Sequence, residues 1–325
     1  MQALQISRYG APVDVVELVD IPEPADPRAD EVLVAVEYAP INWSELLKIM
    51  GRYPVLPASL PAGVGNEGVG RVLAVGSGVA HVKAGDRVLV PTTHDAWRGK
   101  ILLPASGLFA LPAGADPKQL AMLSINPPTA ALLLSEYVDL RPGDWVLQNA
   151  GNSGVGRSLA AIGEIRGLSV ASVVRRPELA DELRAEGAET VLVDGPDLAA
   201  RVAAATSNAP IKLAVDGVGG ASTASLSSCL ALEGTVVQYS FTSGQPGVAN
   251  GVDLIFRGVS IRGFWLPTAQ QREPAKVLEG VKLGAELVAA GKLNVPIAAT
   301  YPLASAQAAL AHAQQRGGKV LFEIA

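Results

Sequence analysis

The segment from Trp145 to Gly156 constrains the fold of this chain more than any other. The apolar run Trp145 to Gln148 reads as a strand. The glycine cluster Gly151-Asn152-Ser153-Gly154-Val155-Gly156 follows it, and a helical pattern then runs to about Arg166. A glycine-rich turn between strand and helix matches the physical needs of a G-x-G-x-x-G dinucleotide turn, although the second glycine is Ser153 here. Gly151 is expected to allow the tight turn. Ser153 is small enough for the backbone to approach a pyrophosphate. Gly156 lets helix and strand pack closely, and the helix N-terminus offers N–H groups and a positive dipole end. An ordinary strand–helix turn is the competing reading of a hexamer this short.

The next strand, Ser169 to Val174, ends in Arg175 and Arg176, about 20 residues past the last glycine, where the ribose is read. An acidic residue there bonds a 2′-hydroxyl and repels a 2′-phosphate. Two guanidiniums reverse that preference. NADPH is therefore the expected cofactor. Two solvated arginines before Pro177 are the alternative. A second glycine cluster, Asp216-Gly217-Val218-Gly219-Gly220, closes another strand and is either a close approach to the cofactor or a plain loop.

The rest of the chain divides by pattern. Up to about Ala113, short runs such as Val32 to Val36, Gly70 to Val75 and Arg87 to Val90 alternate with turn signals and predict a compact β-rich roll. Beyond Pro117, strands alternate with helices: Glu178 to Glu186 is helical, and Val191 to Val193, Leu213 to Val215 and Thr235 to Tyr239 are further strands. That alternation predicts a parallel sheet covered on both faces. A helix over about Pro274 to Ala290 and a strand over Lys319 to Ile324 end the chain, and the strand is expected to return to the first domain.

Composition removes several classes. With a net charge of −5 and no basic block, no nucleic-acid or anionic-membrane partner is indicated. The apolar stretch Leu120 to Leu134 is broken by Pro127 and Pro128 and is too short to span a bilayer. No charged and apolar leader is visible in Met1 to Gly10, so a cytoplasmic protein is expected. The one cysteine, Cys229, forms no internal disulfide and reads as packing. His81, His94 and His312 are scattered, and His94 reads as a loop residue.

Taken together, several stretches resemble the medium-chain dehydrogenase/reductase superfamily, and within it the mitochondrial-type 2-enoyl thioester reductases. They are Ile41-Asn42, Met50-Gly51-Arg52-Tyr53, Gly65-Asn66-Glu67-Gly68-Val69, Trp97-Arg98, Ile125-Asn126-Pro127-Pro128-Thr129-Ala130, Gln148 to Gly156, Val173-Val174-Arg175, and Arg262-Gly263-Phe264-Trp265-Leu266. The resemblance implies an α/β chain. A GroES-like β-rich catalytic domain would cover residues 1–121 and 265–325, and a Rossmann domain, doubly wound on a parallel sheet, residues 122–264. It also implies an active site between the domains and a homodimer joined through the Rossmann sheets. Nucleotide contacts are implied for Asn126, Asn149, Asn152, Ser153, Gly154, Val155, Gly156, Arg175, Arg176 and Tyr239.

Zinc-dependent members carry a histidine where Asn66 stands and a cysteine near Asn42-Trp43-Ser44. Without those ligands, a reaction that needs Zn²⁺ as Lewis acid is not expected, and no metal is assigned. A substrate already polarised, an activated alkene such as an α,β-unsaturated thioester, needs no metal. Hydride reaches the β-carbon and a neutral acid protonates the α-carbon. Tyrosine, with a reference pKa of about 10, is such an acid at neutral pH. In the resembling reductases the donor lies in a G-x-Y segment, which points to Tyr53; packing in the cleft is the alternative role. Pro54 departs from the family and restricts the residue before it.

Phe264 and Trp265 match the acyl-pocket lining, with interdomain packing as the alternative. Trp43 is bulky where the family is small; it either shortens the acyl tunnel or points into the barrel. Asn42 and Asn66 either orient the tyrosine and the nicotinamide or hold turns. Glu67 reads as a buried carboxylate supporting Asn66 or an arginine. Arg52, Arg98, Lys100 and Arg262 are candidates for a basic patch facing a coenzyme A or carrier-protein phosphate. The competing functions are a zinc-independent quinone or small-enone reductase and a non-catalytic NADPH-binding regulator.

Overall fold

The computed structural model describes all residues except Thr93 and Arg316. The chain divides into two units, residues 1–125 with 281–325, and residues 126–280.

The first unit begins with β1 (Gln2–Ile6), α1 (Pro12–Val15), β2 (Val16–Asp20), β3 (Glu31–Pro40), α2 (Trp43–Ile49), β4 (Ala62–Gly63), β5 (Gly68–Val75), β6 (Arg87–Val90), β7 (Lys100–Pro104) and α3 (Pro117–Leu120). β1 pairs antiparallel with β2 and β4. β3 is the centre of the larger sheet, flanked by β5 and β7. Its alternating Val32, Val34 and Val36 are fully buried, so the period of two turns one face of the strand into the core.

The second unit holds α4 (Asn126–Leu133), β8 (Trp145–Asn149), α5 (Gly154–Ile165), β9 (Ser169–Val174), α6 (Pro177–Ala185), β10 (Thr190–Val193), α7 (Leu198–Ala205), β11 (Leu213–Asp216), α8 (Ala221–Ser228), β12 (Thr235–Gln238), α9 (Gly251–Arg257), β13 (Ser260–Gly263) and α10 (Leu266–Arg272). Its six strands are parallel in the order β10-β9-β8-β11-β12-β13. The winding direction reverses between β8 and β11. Open α/β sheets bind ligands outside the carboxyl ends of the strands at such a switch point.

Helix α11 (Pro274–Ala289) leads the chain back to β14 (Ile297–Tyr301), α12 (Ala306–Ala313) and β15 (Lys319–Glu323). The final strand pairs antiparallel with β3, Phe322 opposite Ala39, as its return to the first unit requires. Phe322 meets Trp97 edge-on, ring centroids 4.9 Å apart, and both are fully buried. Such a pair adds about 0.5–1.5 kcal/mol beyond its buried area. A Cβ on Gly280 would stand 2.6 Å from the Pro128 Cα, so glycine is what lets α11 lie against α4. Among the described residues, no helix is long and apolar enough to cross a membrane.

Candidate active site

At the switch point, β8 delivers its last residues into the glycine turn. The left-handed residue of this turn is Ala150, at φ 51°. Gly151 is required for space: a Cβ there would meet the Ser172 side chain at 2.8 Å. The same test explains Gly156, where a Cβ would lie 2.6 Å from the Ala150 carbonyl oxygen. Ser153 caps α5, its Oγ accepting from the Gly156 N–H at 3.1 Å. Its hydroxyl thereby satisfies one of the N–H groups that a helix start leaves open.

A shallow cleft opens beside this turn, lined among others by Asn149, Ala150, Asn152, Arg175, Leu179, Asp194 and Ser222. Arg175 and Arg176 are both exposed. Arg175 lines the cleft, whereas Arg176 is the N-cap of α6 and is not among the lining residues. Gly154 and Val155 are buried in the first turn of α5, and Asn126 is buried at the start of α4, against Gly154. The buried Tyr239 hydroxyl lies beside Gly217 and hydrogen-bonds Ser153. Burial pushes its pKa up to about 12, against the lowering effect of that bond. The turn, the exposed Arg175 and the twelve-residue α5 together fit a phosphorylated dinucleotide.

One residue of this region was not foreseen. Asp216, fully buried at the end of β11, accepts from the Val218 and Gly219 N–H groups at 2.8 and 2.9 Å and from the Thr223 hydroxyl at 2.6 Å. Asn149 donates to it at 2.6 Å and accepts from the Gly217 N–H at 2.7 Å. Asn149 and Asp216 therefore build the second glycine turn, which is scaffold rather than loose loop. The signal was present in the sequence: an aspartate just before Gly-x-Gly-Gly suits an Asx turn.

In the first unit, the candidate acid follows the end of α2. The Arg52 N–H bonds the Leu47 carbonyl at 2.8 Å and the Gly51 N–H bonds the Lys48 carbonyl at 3.0 Å. With Gly51 at φ 71°, this is a Schellman stop, which sets where the half-buried Tyr53 leaves the helix.

The opposite end of α2 is held by buried charge. Asn42 donates to Glu67 at 2.9 Å and through its backbone N–H to Glu45 at 3.1 Å, and the Lys319 ammonium donates to the Asn42 Oδ1. The Asn66 N–H bonds Glu45 at 3.1 Å, while its side chain accepts from Lys48 at 2.7 Å and donates to Ser44 at 3.1 Å. Burial pushes Glu67 up to about 8, against the opposing pull of Lys319, and it raises Glu45 as well. Burial also lowers Lys319, against both carboxylates. Glu67 Oε2 has no hydrogen-bond partner among the described residues. Asn42 and Asn66 are thus anchors of α2, and Glu67 faces a lysine, not an arginine. An ammonium group aimed at Asn42 is the wrong neighbour for a cation, and among the described residues no three His, Cys, Asp or Glu are grouped to hold a metal. These residues do not fit a zinc ion.

Trp43 begins α2 nearly half exposed, so it does not point into the barrel core. Trp265 caps α10 with part of its surface exposed, and Phe264 is half-buried. The proposed basic patch is mostly engaged: Arg98 pairs with Asp95, Lys100 with Glu23, and Arg262 lies 5.0 Å over the Tyr137 ring. Burial pushes the Cys229 thiol up to about 12, as suits a packing residue.

Two family descriptions match the chain, the alcohol dehydrogenase GroES-like domain over residues 28–107 and the zinc-binding dehydrogenase domain over residues 154–282. The mitochondrial enoyl-[acyl-carrier-protein] reductase of Homo sapiens is 37% identical over 95% of this chain and 84% of its own length. The chain belongs to the medium-chain dehydrogenase/reductase superfamily, in its enoyl thioester reductase branch. Its fold matches the complex of Etr1p with NADP and crotonyl-CoA at a TM-score of 0.87, with 27% identity over 99% of both chains. The Etr1p/Etr2p heterodimer of Candida tropicalis matches with the same figures. A putative NADPH:quinone reductase from Bacillus thuringiensis matches at 0.87, with 28% identity over 99% of this chain and 98% of its own. The cytoplasmic location expected from the first residues is corrected: the enoyl reductase relatives are mitochondrial proteins.

Proposed function

We propose that this chain is an NADPH-dependent oxidoreductase that reduces the carbon–carbon double bond of 2-enoyl thioesters. The observation that carries this reading is the 37% identity to an enoyl reductase over 95% of this chain, and the Gly51-Arg52-Tyr53 segment after α2 fits the G-x-Y pattern of the resembling reductases. NADPH, when bound, supplies the hydride that reaches the β-carbon. Ser153, Gly154, Val155 and Gly156 hold the pyrophosphate at the α5 N-terminus, and Asn152 borders it. Asn126 and Tyr239 close around the same turn, and Asn149 shapes it through Asp216. Arg175, assisted by Arg176, binds the 2′-phosphate. Tyr53 gives its phenolic proton to the α-carbon and then regains one from solvent. Trp43, Phe264 and Trp265 line the acyl pocket, while Asn42 acts by fixing α2.

The test is initial-rate NADPH oxidation with crotonyl-, hexenoyl- and decenoyl-coenzyme A, beside a quinone and a small enone. Thioester turnover well above the others is expected, falling with chain length if Trp43 shortens the pocket. Turnover of quinone or enone alone would move the chain to the quinone-reductase reading, which the Bacillus thuringiensis likeness favours. Arg175→Ala with Arg176→Ala is expected to lower the NADPH-to-NADH preference at least about tenfold, the cost of losing charge-assisted hydrogen bonds to phosphate. An unchanged preference would remove both from that role.

A homodimer formed through β13 completes the reading. β13 is the edge of the parallel sheet, with Ser260, Arg262 and Gly263 exposed. Ile255 and Phe256 on α9 are 75% and 76% exposed. An open edge beside an apolar patch suits a second copy related by a twofold axis. Ile255→Glu with Phe256→Glu is expected to give monomers in sedimentation; an unchanged oligomer would place the interface elsewhere.

A further inference from the structure

One side chain ties the two walls of the nucleotide cleft together. Arg157 sits in the first turn of α5, where the helix dipole disfavours a cation. It is nevertheless only 8% exposed. Its Nε donates to the Asn152 carbonyl at 3.2 Å, within the turn that lines the cleft. Its two terminal nitrogens grip Glu182, at 2.8 Å, and Glu186. Both carboxylates are partly exposed and lie on the α6 side, Glu182 within the helix and Glu186 as its C-cap. Leu179, Glu182 and Glu186 recur at helical spacing on one face, and Leu179 lines the same cleft.

Stability alone is a poor reason for this arrangement. An ion pair whose carboxylates stay partly exposed usually contributes little net stability. What it provides is fixed geometry, because the planar guanidinium holds three acceptors in set directions. Those acceptors are the turn that meets the pyrophosphate and the helix whose N-terminal end follows Arg175. We propose that Arg157 is a positioning residue for cofactor choice: by clamping α6 to the Asn152 turn, it sets the distance between the pyrophosphate site and Arg175 and so tunes the cleft to a 2′-phosphorylated dinucleotide.

The proposal rests on the NADPH reading above. Its test is fluorescence titration of the full chain with NADPH and with NADH, alongside melting temperature and the KM and kcat for NADPH. Arg157→Leu is expected to weaken NADPH binding about tenfold, with a smaller effect on NADH and with the kinetic loss falling on KM. Arg157→Lys restores part of the binding, because a point charge replaces the fork. Glu182→Gln with Glu186→Gln, which alters only the partly exposed partners, is expected to lower the NADPH-to-NADH preference in the same direction and serves if Arg157→Leu fails to fold. Equal weakening of both nucleotides, or a lower melting temperature with unchanged preference, would overturn the proposal and leave Arg157 a structural residue. The Arg175 and Arg176 double variant separates the two readings: unchanged preference there removes the 2′-phosphate assignment itself.

Discussion

Tyr53→Phe is expected to lower kcat for crotonyl-coenzyme A by a factor of at least about 100, the lower end of what a positioned general acid contributes. NADPH affinity should not change. The substitution keeps the ring and removes only the hydroxyl, so loss of packing does not account for a large effect. Position supports the choice. The Schellman stop at Gly51 fixes the direction in which the chain leaves α2, and Tyr53 follows two residues later. Pro54 then limits the backbone of Tyr53. A phenol placed by a helix end and a proline loses less freedom on reaching a reactive geometry than one in a loose loop. The comparison that isolates proton transfer is quinone reduction, where a Tyr53→Phe rate close to that of the parent chain is expected, because that reaction does not need a proton delivered to carbon. A near-normal thioester rate would show that Tyr53 lines the site and that another group supplies the proton.

The parts that were legible in the sequence are those in which neighbours along the chain do the physical work. The strand–glycine–helix run from Trp145 to Arg166 needed only local spacing, and the alternating pattern around it pointed to a parallel sheet, whereas the strand order that puts the run at the switch point was not legible. Lys319 to Ile324 read as a returning strand because a short apolar run at the chain end has few other places to be buried. What was missed depends on distant residues meeting. Asn42, Glu45, Glu67 and Lys319 span most of the chain, and no periodicity links them; the only local sign was a lone lysine opening the apolar strand Lys319 to Phe322. Arg157 left a sign too, a cation in the first turn of a helix. The φ of Ala150 was hidden because Gly151 beside it is the residue that ordinarily takes such a turn. The close approach of Gly280 to Pro128 is likewise a contact between helices that the pattern of either one does not disclose.

The buried cluster at the start of α2 sets the largest effect expected on stability. Lys319 is the cation that faces both Glu45 and Glu67, and the two carboxyls are fully buried. Lys319→Met keeps most of the volume and strands a buried carboxylate. Breaking such a pair from one side costs about 3–5 kcal/mol. For a unit of this size that lowers the melting temperature by about 10 °C. The loss should be smaller at pH 5 than at pH 8, because at the lower pH the stranded acid can take up a proton and become neutral. Glu67→Gln is the opposite kind of change. Glu67 is raised from 4.5 to about 8 in the fold, so near neutrality it is mainly protonated there, whereas in the unfolded chain it is ionised. The folded state then binds more protons than the unfolded state between these values. Glu67 therefore contributes stability that is complete below about pH 4.5 and is lost as pH rises through about 8. Glutamine mimics the neutral acid at every pH, so the Glu67→Gln chain should melt near the parent temperature at pH 5 and above it at pH 8. Parallel melting curves for parent and Glu67→Gln across this range would mean that Glu67 is ionised in the fold. Lys319 would then be balancing two charges, and Lys319→Met should cost more than the stated range.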